Sequence, residues 1–179
     1  MVWPTPPGFA PGDAELDVAA EILGGGKTSR LYKRLVYELK IAQAVGAGNS
    51  SLMNAGEFSL GFTPLAGHTL AELEKVVDEE LDKLRTQPPE AREVERARNE
   101  YRTGFFRGLE PLQGRAYRLA YYDYLTGDPG YIGKDLARYQ AVDPAAVQRF
   151  VAQYLPRDRR VVITVEPNPS APIMGRLKP

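Results

Sequence analysis

Two β-prone runs, residues 41–47 and 57–63, follow one another through the short link Gly48-Asn49-Ser50-Ser51. Parallel neighbours need a crossover of a dozen or more residues, so a link this short points to an antiparallel pair. Phe58, Leu60 and Phe62 alternate in the second run and are expected on one buried face. Helical patterns surround the pair. Residues 69–85 carry Leu70, Leu73, Val77, Leu81 and Leu84 as a stripe, with Glu72, Glu79, Glu80 and Lys83 expected to face water. Pro88-Pro89 breaks the chain before a second helix from Glu90, which aligns Val94, Ala97, Tyr101 and Phe105. Beyond Gly114, Tyr117, Tyr121 and Tyr124 share helical spacing with Tyr122 on another side, a pattern of aromatic packing in the core or between domains. The segment 131–140 and a helix over 144–154 capped by Asp143 follow, the latter with Ala146, Val147, Phe150, Val151 and Tyr154 as its apolar face. Residues 2–6 read as an extended edge segment and residues 160–166, dense in β-branched side chains, as a last strand. The fold class is α/β in the broad sense and α+β in the narrow one: an antiparallel or mixed sheet covered by helices on one face.

The run Leu23-Gly24-Gly25-Gly26-Lys27-Thr28-Ser29-Arg30-Leu31-Tyr32 has two readings. A phosphate-binding loop would need a glycine five positions before the Gly-Lys-Thr and a strand leading into it. Glu21 occupies that position, and Leu16, Ala19, Ala20 and Leu23 recur as one face of a helix, with Asp13 as its N-cap. The other reading is punctuation. The glycines end one helix, and Thr28 or Ser29 caps the next, whose apolar positions are Leu31, Leu35 and Leu39.

Lys plus Arg and Asp plus Glu are both 23, so no excess of positive charge exists to hold nucleic acid. The absence of cysteine removes disulfides, thiolate catalysis and thiolate metal sites, and leaves cytoplasm and periplasm both open as compartments. No apolar stretch approaches the length of a membrane span, and the proline-rich start carries no secretory pattern. Met1 directly before Val2-Trp3 reads as a start placed at a domain edge in a longer parent. The one histidine, His68, sits in Ala66-Gly67-His68-Thr69-Leu70 and is expected at an exposed strand-to-helix turn with Thr69 as cap.

The words around the glycines are more specific than the glycines. Val2-Trp3-Pro4-Thr5-Pro6, residues 15–47, Thr69-Leu70-Ala71-Glu72-Leu73-Glu74, Glu93-Val94-Glu95-Arg96-Ala97, Gly127-Asp128-Pro129-Gly130-Tyr131 and Val161-Val162-Ile163-Thr164-Val165-Glu166-Pro167 together resemble the pitrilysin/insulinase-type zinc metallopeptidases, which include mitochondrial processing peptidase. The resemblance is to the second, C-terminal type of domain, which does not bind zinc. The family's metal site uses an inverted His-x-x-Glu-His motif with a further glutamate, and one histidine cannot supply it. The resemblance implies one such domain over residues 1–166, with 167–179 a loose tail or linker. It implies no catalytic residue, metal ligand or cofactor in this chain, zinc in a partner domain of the same chain or a partner subunit, and a peptide substrate enclosed between halves. The family often places an arginine and, seven residues later, a tyrosine near the substrate; alignment on Ser29-Arg30-Leu31-Tyr32 puts Val36 and Gln43 there, and neither can take the role.

The leading expectation is therefore a non-catalytic domain that helps build a peptide-binding chamber. Gly24, Gly25, Gly26, Ser29 and Arg30 are its candidate substrate-binding residues, with backbone donors pairing to an extended peptide. A helix joint without ligand is the plain alternative for the glycines. A proteolytically inactive scaffold or assembly subunit of the same family is the alternative for the chain, and a nucleotide module using Lys27 is the third reading.

Overall fold

The computed structural model describes residues 1–166. The expected tail, 167–179, lies outside the described residues. Three antiparallel strands, β1 (Val2–Thr5), β2 (Ala42–Ser51) and β3 (Gly56–Pro64), form a sheet in the order β1-β3-β2. Trp3 stands opposite Phe58, and Ala47 opposite Leu60. Phe58 and Leu60 are buried as their alternation predicts, and Phe62 packs partly buried against the same core.

The link expected at Gly48-Asn49-Ser50-Ser51 is instead the end of β2, and the chain turns at residues 52–55, where Leu52 N–H donates to the Ala55 carbonyl at 2.9 Å. Asn49 explains the difference: its amide donates to Asp17 at 3.0 Å and to Ser51 at 3.1 Å, so its side chain is spent on tertiary contacts instead of a turn. The expected last strand over 160–166 reduces to one antiparallel bridge, Val161 with Val2. Residues 162–166 are exposed and form no ladder, because β1 offers no residue opposite most of them.

Six α-helices follow: α1 (Asp13–Gly24), α2 (Leu70–Thr86), α3 (Ala91–Leu109), α4 (Leu112–Thr126), α5 (Ile132–Ala141) and α6 (Pro144–Tyr154). In α1 the predicted face is buried, and so are Ala14, Val18 and Ile22, so this helix is enclosed on most sides. Asp13 is its first residue and not its cap. Gly12 takes the cap position with φ 100, where a Cβ would meet the Phe150 ring at 2.8 Å. The Asp13 carboxylate turns back to accept the Phe9 N–H at 2.8 Å.

After the glycines the chain winds as a π-helix over Tyr32–Glu38, with no side-chain cap from Thr28 or Ser29. The wider turn, marked by Leu39 N–H donating to the Arg34 carbonyl at 3.0 Å, keeps Leu31 and Leu35 fully buried and turns Leu39 outward at 38% exposure. Thr69 and Glu72 close a capping box on α2, and Leu73, Val77, Leu81 and Leu84 are fully buried. Glu80, expected to face water, is 7% exposed, and Lys83 donates to its carboxylate at 2.6 Å. Asp143 caps α6 through the Ala146 N–H at 2.7 Å. Of the α4 tyrosines, Tyr122, expected on another side, is the buried ring, Tyr121 is half-buried, and Tyr117 and Tyr124 are 66% and 72% exposed, so the spaced trio does not pack into the core of this domain. Trp3 closes the sheet against its last helix, meeting Phe58 edge to face at 6.2 Å and donating its indole N–H to the Pro156 carbonyl at 2.8 Å.

Candidate functional site

The glycine loop is where the buried helix α1 must stop, because β2 crosses directly above it. A Cβ on Gly24 would lie 2.2 Å from the Ala47 nitrogen, so only glycine permits the approach. Gly25 N–H donates to the Glu21 carbonyl at 3.0 Å, and Gly26 sits at φ 73 with open space where a side chain would be. The apex formed by Gly26, Lys27 and Thr28 is exposed.

Beneath the apex the loop is bolted down. Ser29 is fully buried and donates to the Gly26 carbonyl at 2.8 Å. Arg30 grips Glu93 of α3 with two bonds, 2.8 and 2.6 Å, and Arg96 Nη1 donates to the Thr28 carbonyl at 2.8 Å. The bond to Glu93 raises the Arg30 pKa. Burial works against ionised Glu93, but Arg30 and the Glu90 N–H outweigh it and lower its pKa. Of the five candidate residues, the glycines form the rim while Ser29 and Arg30 support it from inside. Helix α1 leads into the loop in place of the strand that a phosphate loop needs. Val36 packs partly buried against the core, and Gln43 is the exposed extra residue of a bulge between Ala42 and Ala44.

The residues do not fit a zinc centre. His68 lies at the expected exposed turn, its Nδ1 3.5 Å from Glu72, and among the described residues no group of three His, Cys, Asp or Glu side chains converges to hold a metal.

A second constellation joins α1 to α3, α4 and α5. Asp17 accepts hydrogen bonds from the Tyr139 hydroxyl and from Asn49. Burial pushes its pKa up to about 6, against the lowering effect of those two bonds. Asp135 accepts from Tyr122 at 2.7 Å and Tyr101 at 3.3 Å, and Arg138 bridges Asp135 at 2.7 Å and Asp13 at 3.0 Å while lying over the Phe9 ring. A cavity of about 390 Å³ opens beside it between Asp17, Glu21, Glu100, Tyr101 and Arg118. Neither this cluster nor the Arg30–Glu93 clamp was legible in the sequence, because the pairs that close them, Arg30–Glu93, Asp17–Tyr139 and Asp13–Arg138, lie 63, 122 and 125 positions apart. A groove of about 540 Å³ runs between the tip of the β2–β3 hairpin, Leu52 and Met53, and Tyr117, Tyr121 and Tyr124 of α4.

Comparison with known proteins places this geometry. The profile of a family described as the peptidase M16 inactive domain matches residues 1–101. A protease from Helicobacter pylori has the same fold, with a TM-score of 0.79 at 19% identity over 88% of this chain and 38% of its own. The inactive peptidase domain of a zinc-protease homologue from Bordetella parapertussis superposes with a TM-score of 0.76 at 24% identity, over 89% of this chain and 86% of its own. A peptidase M16 inactive domain from Pseudomonas fluorescens gives 0.76 at 16% identity, over 88% and 38%. The chain thus spans well under half of two of these proteins and most of the third. A search of curated proteins found no match.

Proposed function

The chain belongs to the peptidase M16 inactive-domain family, and from that premise we propose that it is the non-catalytic domain of a zinc-dependent endopeptidase, helping to enclose an extended peptide that another domain cuts. Family membership over residues 1–101 carries the reading. The position of His68, remote from any ligand set among the described residues, fits a metal held by a zinc-bearing domain of the same parent chain or of a partner subunit. In this role the chain supplies shape and hydrogen bonds, and no bond-breaking step passes through its residues.

The rim Gly24, Gly25 and Gly26 faces the peptide, and Ser29 and Arg30 fix its height. The Gly25 and Gly26 N–H groups are already bonded within the loop, to the Glu21 and Gly24 carbonyls, so the rim meets the peptide through its shape and through the exposed apex at Lys27 and Thr28. Its rigidity comes from the Arg30–Glu93 and Arg96–Thr28 contacts, which remove the cost of ordering the loop when peptide arrives. The test is Lys27→Glu at the exposed apex, made in the full enzyme with its zinc-bearing domain. The expected result is an unchanged melting temperature with KM for a quenched peptide raised about threefold or more and kcat kept, the mark of lost uniform binding. Unaltered KM would remove the loop from the site.

A scaffold role is the second reading, and the aromatic groove favours it. Tyr117, Tyr124 and Leu52, each more than 65% exposed, make an apolar face suited to a protein neighbour. An assembly that stays intact and cleaves normally after Tyr117→Ser and Tyr124→Ser would end that reading.

A further inference from the structure

Several arginines of this fold each hold a carboxylate: Arg30 holds Glu93, Arg85 holds Asp82 and Arg138 holds Asp135. Arg98 and Arg102 of α3 do not, and neither has an ion-pair or hydrogen-bond partner among the described residues. The sequence around them accounts for it. Three or four positions from Arg102 stand Arg98, Asn99, Phe105 and Phe106, none of them acidic, and Glu95, the carboxylate within a turn of Arg98, forms no pair with it. Like charges four residues apart repel along a helix face, so the helix carries a local cost that an anion would relieve.

Both arginines line a crevice of about 210 Å³ between α3 and α5. Pockets for drug-sized ligands begin at about 300 Å³, so this one has room for a single side chain. Tyr101 and Tyr139 enter it as a stacked pair with ring centroids 3.4 Å apart, and their hydroxyls donate to Asp135 and Asp17. With both hydroxyls engaged, the rings and Leu136 offer apolar contact. Asn99 of α3 and Gln140 of α5 also line the crevice, and their exposed amides have no partner among the described residues. The carboxylate of α5 beneath them is turned away: Asp135 is buried and holds Tyr122 and Arg138. The crevice thus combines two free cations and two free amides with an apolar wall.

We propose that the α3–α5 crevice receives an acidic side chain of a partner polypeptide, glutamate above aspartate, with its carboxylate held by Arg98 and Arg102. A guanidinium group offers a planar fork of donors that matches a carboxylate, and two such groups neutralise one anion without a water between. The methylenes of glutamate cover the tyrosine rings and Leu136, a contact that an inorganic anion leaves unmade. Asn99 and Gln140 supply further amide donors for the remaining carboxylate lone pairs or for the backbone that presents the side chain. The site is separate from the glycine rim and holds whether or not that rim faces a peptide.

The probe is a capped alanine pentapeptide with one central glutamate, titrated at neutral pH into the 179-residue chain while nitrogen–proton NMR follows the arginine Nε–H groups. Arg98 and Arg102 should shift together and saturate, with an affinity about tenfold or more above that of the same peptide carrying glutamine. Arg102→Gln, at an exposed position, should abolish the response of Arg98 while the melting temperature stays the same. Arg107→Gln, which removes another exposed arginine of the same helix, should leave that response intact. Equal binding of the glutamine peptide would overturn the proposal, and so would loss of binding in Arg107→Gln, the mark of unspecific attraction. Inorganic phosphate that matches the glutamate peptide in affinity would overturn it too, since the crevice would then hold an adventitious ion only.

Discussion

Asp17 is held in a place where its charge is unwelcome. Its pKa of about 6 lies above the ordinary value of 3.8, so folding favours the protonated form. The stabilisation is complete below the ordinary value and is lost as pH rises through about 6, where the ionised carboxylate costs up to roughly 3 kcal/mol. Asp17→Asn keeps a carbonyl to accept from Tyr139 and cannot ionise. Thermal melts of both proteins from pH 4 to 8 should therefore diverge, the variant gaining stability relative to the parent as pH rises. A constant difference across that range would contradict the assignment. Glycines separate just as cleanly. Gly24→Ala must push against the Ala47 backbone, whereas Gly26→Ala meets open space and suffers only its φ of 73. Chemical denaturation should show a loss of about 1 kcal/mol at Gly26 and about 2 kcal/mol or more at Gly24. Equal losses would mean that β2 yields to the added methyl group.

Among the elements, those with a strong local signal were readable. α2 could be placed by its leucine stripe and its Thr69 cap, and α6 by Asp143, because periodicity and capping act within a few residues. Elements decided by distant contacts were not. The end of β2 depends on Asn49 reaching Asp17, and the inward face of α4 depends on Asp135 drawing Tyr122 rather than Tyr121. The π-helix is the sharpest example: a 3.6-residue period puts Leu39 inside, and the wider turn puts it out. The capping box offers a direct check on what local signals contribute. Thr69→Ala removes the acceptor for the Glu72 N–H and should cost about 1 kcal/mol, lowering the melting temperature by about 2 to 4 °C in calorimetry. No shift would mean that packing alone positions the start of α2.

At the scale of the whole molecule, the family and the kind of fold were legible from the order of short sequence words, and the roles of single residues were not. Ser29 and Arg30 read as surface residues beside a glycine run, yet one is buried and the other is locked to α3. Local sequence records what a residue can do, and long-range packing decides whether it is free to do it. One of these long-range contacts is the hydrogen bond from Trp3 to Pro156, which joins positions 153 apart. Trp3 is also the chain's single tryptophan, fully enclosed beside Phe58. The protein thus carries its own optical gauge: emission from Trp3 should shift to longer wavelength only when the two ends of the domain part. Far-ultraviolet circular dichroism follows the helices independently of Trp3. If the two signals move together through a denaturant series, the domain opens as one unit. If the tryptophan responds first, the seam between the chain's beginning and its end is the place where unfolding starts.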